Sequence, residues 1–360
     1  MNYVKALLLF LCIGFLSFSQ AQDIHYTMYD MAPIRVNAAR TGFFEGTFRI
    51  GGIYRSQWRG LGPSGGVLGT KFSGYQTPHA YIDLPFRIPK KNAKGPVKRW
   101  AGIGATFFSD EAGINSTTNA TLALAYHIGL NQRGNTRLSL GIQGGIVQNR
   151  IDPSDFRFEQ GIRDALGQSV DYVPTSDNSL DRNSVSYADF SGGILFAHRG
   201  TRGFNLEAGL ALNHFTRPTY GFFSDKSIKM PMALLSSLQV DVPLSQRLLL
   251  RPMVFYHNAN NAQEINLQTL LGVHFNQMKD ITLYLGGGYR IEDAAFARIG
   301  LDLKGLLIGF AYDLNMRPAL TPSSSTFSYN RPMGFEVALS YVAKIYKYVT
   351  VKEVLFCPRF

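Results

Sequence analysis

The feature that most constrains this chain is a long-range period of two in its apolar residues. Between Leu122 and Leu130 alternate positions read Leu122, Leu124, Tyr126, Ile128 and Leu130, with Ala123, Ala125, His127 and Gly129 between them. From Ile265 one face is Ile265, Leu267, Thr269, Leu271, Val273 and Phe275, opposite Asn266, Gln268, Leu270, Gly272 and His274. The same pattern runs through Ala295–Leu303 and from Leu306 to Leu314. A repeat of two is the side-chain period of a β-strand, not of a helix. One continuous apolar face opposite small or polar residues is the pattern of a membrane barrel with lipid outside and a polar lumen. A soluble sandwich alternates too. Strand length separates the two, since runs of about 9–13 residues suit tilted spans better than the usual five or six.

Composition agrees. Only 17% of the 360 residues are charged, Gly supplies 36 and aromatics 13%. Outside the N-terminus there is no uncharged apolar run of about 18 residues, so a helical span is excluded. Trp58, Trp100, Tyr289 and Tyr341 stand near strand ends, where an interfacial girdle is expected.

Residues 1–21 read as a signal peptide, with Lys5, the apolar Ala6–Phe18, and Ser19-Gln20-Ala21 before the cleavage site. Cleavage removes Cys12 and leaves Cys357 alone, without an intramolecular disulfide partner. The net charge of +11 falls to +10 in the mature chain. The densest basic stretch is Lys90-Lys91-Asn92-Ala93-Lys94, continuing to Lys98-Arg99. For an exported protein, anionic lipid headgroups or solvated loops account for this excess better than nucleic acid.

Fourteen strands are predicted, at 47–58, 77–88, 98–109, 117–130, 136–149, 184–198, 202–214, 228–241, 246–257, 263–276, 279–290, 293–303, 305–315 and 333–345. The number is even, as closure of an antiparallel barrel needs, and an open edge in lipid would leave backbone groups unpaired. The long connections 59–76, 150–183, 215–227 and 316–332 all follow odd-numbered strands and so share one side, expected to be extracellular. The expected organisation is therefore a signal peptide at 1–21, an N-terminal segment at 22–46, a transmembrane antiparallel β-barrel at 47–345 and a tail at 346–360. Residues 22–46 have two readings. They form a plug, with Tyr26, Tyr29 and Met31 packed in the lumen and Asp23, Arg35 and Arg40 pairing with lumen charges, or they contact periplasmic components.

No catalytic or metal-binding pattern is legible. None of the seven His stands four residues from another, and none neighbours a Cys. Gly286-Gly287-Gly288 has neither the Lys-Ser/Thr nor the helix of a phosphate loop, and no G-x-S-x-G elbow occurs. His127 and His274 fall on lumen faces and read as solvated. Arg298 and Asp302 share a face and read as a lumen charge pair. No enzyme and no cofactor are implied.

The mature N-terminus, Gln22-Asp23-Ile24-His25-Tyr26-Thr27-Met28-Tyr29-Asp30-Met31-Ala32-Pro33-Ile34-Arg35-Val36-Asn37-Ala38-Ala39-Arg40-Thr41-Gly42, resembles the opening of the PorP/SprF family of type IX secretion outer-membrane proteins. Ala38 departs from the Pro usual in that family's Asn-Pro-Ala element. Further resemblances follow in order: Tyr54–Trp58, Gln76–Pro85, Ile308–Asn315, Gly334–Glu336, Leu339–Tyr341, and the terminal Cys357-Pro358-Arg359-Phe360. The resemblance implies a non-enzymatic outer-membrane barrel of a Bacteroidota type IX secretion and gliding apparatus. Its expected role is to export or anchor a secreted adhesin through that partner's C-terminal domain, in contact with outer-membrane lipid and with other type IX components. The alternative is a channel for small solutes. Loop aromatics and arginines are the expected partner contacts: Phe156, Phe158, Arg163, Tyr172, Arg217, Tyr220, Phe222 and Phe223. Phe222-Phe223 reads equally as part of the lipid-facing rim.

Overall fold

The structure is a computed structural model and describes residues 26–57, 74–86, 99–113, 115–151, 183–222, 228–260, 262–276, 280–316, 319–322, 327–330 and 333–345. The expected signal peptide, the tail with Cys357, and Trp58 lie outside these residues.

Fourteen strands close into one antiparallel barrel. They are β1 (Phe48–Gln57), β2 (Tyr75–Phe86), β3 (Arg99–Ala112), β4 (Asn115–Gly129), β5 (Thr136–Ile151), β6 (Ser184–Arg199) and β7 (Asn205–Asn213). They continue with β8 (Ala233–Pro243), β9 (Leu248–Ala259), β10 (Ala262–His274), β11 (Ile281–Arg290), β12 (Ala294–Leu303), β13 (Leu306–Asn315) and β16 (Met333–Ala343). Neighbours in sequence are neighbours in space, and β16 closes on β1 in a ladder running from Phe48↔Ala343 to Gln57↔Gly334. Closure pairs the backbone groups that an edge would expose to lipid.

The long connection between β13 and β16 carries a small hairpin of β14 (Ala319–Pro322) and β15 (Phe327–Asn330). The largest shift of a strand boundary is in β8, which begins at Ala233 rather than 228. Pro231 lies just ahead of it and cannot donate to a ladder.

The alternation places the side chains as expected. Leu122, Leu124 and Tyr126 are exposed on the outer wall, while Ala123, Ala125 and His127 are buried inside. Leu267, Leu271, Ile299, Ile308, Phe310 and Leu314 also face out, as do the girdle residues Tyr289 and Tyr341. Trp100 does the opposite: it is buried in the lumen, because it shares its inward parity with Gly102 and Gly104.

Connections after even-numbered strands define a turn end, and those after odd-numbered strands a loop end. Between β12 and β13 the turn is only Lys304-Gly305, with φ of +54° and +93°. Positive φ at both positions is the type I′ geometry that matches strand twist.

The interior is not empty. Residues 26–46 run through it, with one short helix, α1 (Pro33–Val36), between 3-10 turns at Tyr29–Met31 and Ala38–Arg40. Tyr26, Met28, Tyr29, Met31, Ile34, Val36, Ala38 and Ala39 are all buried against the inner wall.

Candidate functional site: a pinned plug and the loop end

The plug is held at three levels. At the loop end, Glu336 of β16 accepts the backbone N–H groups of Thr27 (2.6 Å) and Met28 (2.7 Å). The Thr27 hydroxyl donates to Asp313 at 2.8 Å and accepts from Arg55 at 3.0 Å and Arg290 at 2.8 Å, which uses its one proton and both lone pairs. Arg55 also pairs with Glu336 and Asp313, and Arg290 with Asp313 and Asp293. Arg55, Arg290, Asp313 and Glu336 are each at most 3% exposed. Charges so buried are tolerable only when paired and hydrogen-bonded, so removing one member costs far more than a surface pair would.

At mid-lumen, Asp30 takes a bidentate contact from Arg298 at 2.8 and 3.1 Å, and Arg298 also donates to Gln268 at 2.6 Å. Burial alone would push the Asp30 carboxyl up. The Arg298 guanidinium beside it outweighs that and holds it below the usual carboxylate range. Tyr29 stacks on Phe255 with ring centroids 4.7 Å apart, within a cluster that includes Val36, Leu235, Met253 and Leu270. Burial pushes the Tyr26 and Tyr29 phenols well above their ordinary value, so both are neutral.

Toward the turn end, Asn37 spans the gap between plug and wall. Its amide donates to Ile194 O (3.0 Å) and Leu210 O (3.2 Å), and its Oδ1 accepts from Ala39 N at 2.9 Å. Ala38 opens the following 3-10 turn, a first-turn position where Pro also fits. Ala38 and Ala39 lie on Gly141, where any Cβ would collide with their backbone. Arg40 pairs with Glu207 at 2.7 Å. Trp100 Nε1 donates to Gly42 O at 3.1 Å, and Gly42 N donates to Asp83, which Arg49 also grips at 2.8 and 2.9 Å. His127 lies 2.9 Å from Thr41 O through Nε2 and 2.7 Å from Ser139 through Nδ1. A carbonyl only accepts, so Nε2 carries the hydrogen.

Several expectations need correction. His127 and His274 do face the lumen, but they are buried, His274 on Thr282, rather than solvated. Arg298 pairs with Asp30, while Asp302 caps the β12–β13 turn by accepting Gly305 N. Arg35 does face the lumen wall as expected, over the buried Phe108 ring at 5.2 Å. Asp23 is outside the described residues.

Of the expected partner contacts, Phe156, Phe158, Arg163, Tyr172 and Phe223 also lie outside the described residues. Arg217 is exposed on the connection after β7, at φ +48°. Tyr220 and Phe222 are half-buried and pack, with Met230, on Val147, Val185 and Tyr187, which are buried on the inner faces of β5 and β6. The structure thus brings Tyr220 and Phe222 together over the lumen wall and leaves Arg217 facing solvent.

Below the plug, at the turn end, is a polar cavity of about 190 Å³ lined by Phe43, Arg137, His198, Glu207, Asp241 and Arg251, among others.

Comparison with solved structures finds similar chains. A TodX monoaromatic hydrocarbon channel mutant is 12% identical, with a TM-score of 0.52 over 88% of this chain and 94% of its own. The Ralstonia pickettii toluene transporter TbuX is 11% identical, with a TM-score of 0.47 over 87% and 93%. A Pseudomonas aeruginosa FadL homologue is 12% identical, with a TM-score of 0.45 over 85% and 92%. At 12% identity the likeness to the TodX mutant shows the fold alone. No curated protein matches in sequence. The family described as type IX secretion system membrane protein PorP/SprF matches residues 18–330. The chain is therefore an outer-membrane β-barrel that belongs to the PorP/SprF family of type IX secretion system membrane proteins.

Proposed function

We propose that this barrel is a non-enzymatic docking station for a secreted partner. Its long loops face the cell exterior and receive an adhesin carrying a type IX C-terminal domain, which the barrel helps export or hold at the surface. The observation that carries this reading is the plug. It is pinned by hydrogen bonds from Thr27 and Met28 to a buried charged network at the loop end and by side-chain-to-backbone hydrogen bonds toward the turn end, so the barrel is built as a rigid support. Family membership supports the link to type IX secretion. Arg217, exposed beside the packed Tyr220 and Phe222, is the described side chain best placed to anchor a partner.

The experiment is co-purification of the barrel from outer membranes of cells with and without the candidate adhesin. Retention of the adhesin, weakened by Arg217→Ala, supports the reading. Unchanged surface display of every large secreted protein in a strain lacking the barrel overturns it.

The second reading is a channel for small solutes, and the polar cavity beneath the plug favours it. Solute uptake by liposomes holding the purified barrel would establish it. A barrel that stays sealed with its plug in place removes it.

A further inference from the structure

Among the described residues, exposed charge is distributed unevenly between the two ends. At the turn end Arg99, Arg133, Arg202, Arg247, Lys304 and Lys344 are exposed, and none forms an ion pair among the described residues. The exposed carboxylate described at this end, Glu45, is already matched by Arg199. Across the barrel, at the loop end, exposed Arg150, Arg217 and Lys229 stand with Glu111 and Glu292. Among the described residues, one rim is strongly basic and the other nearly balanced.

Two features identify what the basic rim meets. The six cations are spread around the circumference: at the start of β3, in the β4–β5, β6–β7, β8–β9 and β12–β13 turns, and just after β16. A docked protein covers one contiguous patch, whereas a lipid annulus touches every strand. Each cation also stands beside an exposed apolar side chain of the outer wall. The neighbours are Phe86 on the strand next to Arg99, Leu130 by Arg133, Phe204 by Arg202, Leu244 and Leu248 by Arg247, Leu303 by Lys304, and Ile345 by Lys344. That juxtaposition puts the charged heads at headgroup depth while the apolar neighbours enter the hydrocarbon.

We propose that the turn-end rim binds anionic phospholipid headgroups of the surrounding leaflet, of the phosphatidylglycerol class. Short turns belong on the periplasmic side, so the leaflet is the inner one. The anionic lipid fixes the barrel's depth and tilt there, independently of any partner at the loops. A basic residue near an anionic surface is worth about a fivefold preference, so six together give a selectivity that survives detergent extraction.

The test uses the full barrel in detergent, mixed with equal amounts of phosphatidylglycerol and phosphatidylcholine, with retained lipid counted by native mass spectrometry. The wild type is expected to enrich phosphatidylglycerol at least tenfold. Changing all six cations to Gln should reduce this to less than about twofold while the heat-modifiable barrel band persists. The loop-end set Arg150→Gln, Arg217→Gln and Lys229→Gln should leave the enrichment unchanged. Because every changed side chain is exposed, folding is not at stake; adding 1 M salt to the wild type is a second route to the same loss. Equal retention of both lipids by the wild type, or an equal loss in the loop-end set, overturns the proposal. So does flat lipid selectivity in a barrel whose rim cations instead retain an acidic periplasmic protein.

Discussion

Arg55 and Glu336 stand opposite each other in the ladder that closes the barrel between β1 and β16, and both hold the same plug residue, Thr27. The seam of the barrel and the upper fastening of the plug are thus one buried network, completed by Asp313 and Arg290. Glu336 is compensated by Arg55, and Arg55 by Glu336 and Asp313 together, so Arg55→Met or Glu336→Gln alone should cost about 3–5 kcal/mol. The two changes should couple by about 1–3 kcal/mol in a double-mutant cycle, because the second no longer strands a charge. The midpoint of heat-modifiable unfolding checks this. Strictly additive effects would contradict the shared network.

The lower half of the plug seats by close approach as well as by the Arg40–Glu207 pair. Gly141 faces Ala38 and Ala39, and a side chain there meets backbone that has nowhere to move. Gly141→Val is expected to unseat the plug and open conductance in planar bilayers. Gly144 is the control. A Cβ there meets the Phe190 ring, which is exposed on the outer wall and free to turn. Gly144→Ala should therefore leave conductance at the wild-type level.

The outer wall was largely legible in the sequence because lipid imposes one rule on every strand. Leu122, Ile299 and Phe310 announce their side by alternation, and the strand number and barrel closure followed from it. The lumen obeys no such local rule. Thr27 meets Glu336 across 309 positions, and Arg298 meets Asp30 across 268, so nothing in either neighbourhood names the partner. Spacing along one strand pointed Arg298 to Asp302, but the plug's carboxylate lies within reach and the turn claims Asp302. Trp100 reads as a girdle residue from its place near a strand end, yet it is buried in the lumen. Its parity with Gly102 and Gly104 was the available signal, because small inward residues mark where the plug comes close.

The Asp30–Arg298 contact gives the plug a pH dependence of definite sign. The folded carboxyl titrates below its ordinary value, with Arg298 outweighing burial. Its contribution is complete above the ordinary carboxylate pKa of about 3.9 and is lost as pH falls through the lower, folded value. The plug should stay seated through the mildly acidic range and loosen only below it. Asp30→Asn should flatten the acid limb of unfolding temperature against pH and leave the neutral-to-alkaline limb parallel to the wild type. An acid limb of unchanged slope would show that Asp30 does not carry it.

Asn37 offers a test in which the closest shape is the worse substitution. Its amide nitrogen donates to two wall carbonyls, Ile194 O and Leu210 O, while its oxygen caps Ala39 N. Asn37→Ala removes three hydrogen bonds worth about 1 kcal/mol each, leaving two carbonyls and one N–H to find other partners. Asn37→Asp keeps the size and the cap, but it turns a buried carboxylate oxygen toward two carbonyl oxygens. Without a counter-charge that arrangement is repulsive as well as desolvated, and its cost should exceed that of the alanine by at least about 1 kcal/mol. Unfolding temperatures at neutral pH should therefore fall in the order wild type, alanine, aspartate. A wild-type-like aspartate variant would mean that the Asn37 amide does not face the carbonyls of β6 and β7.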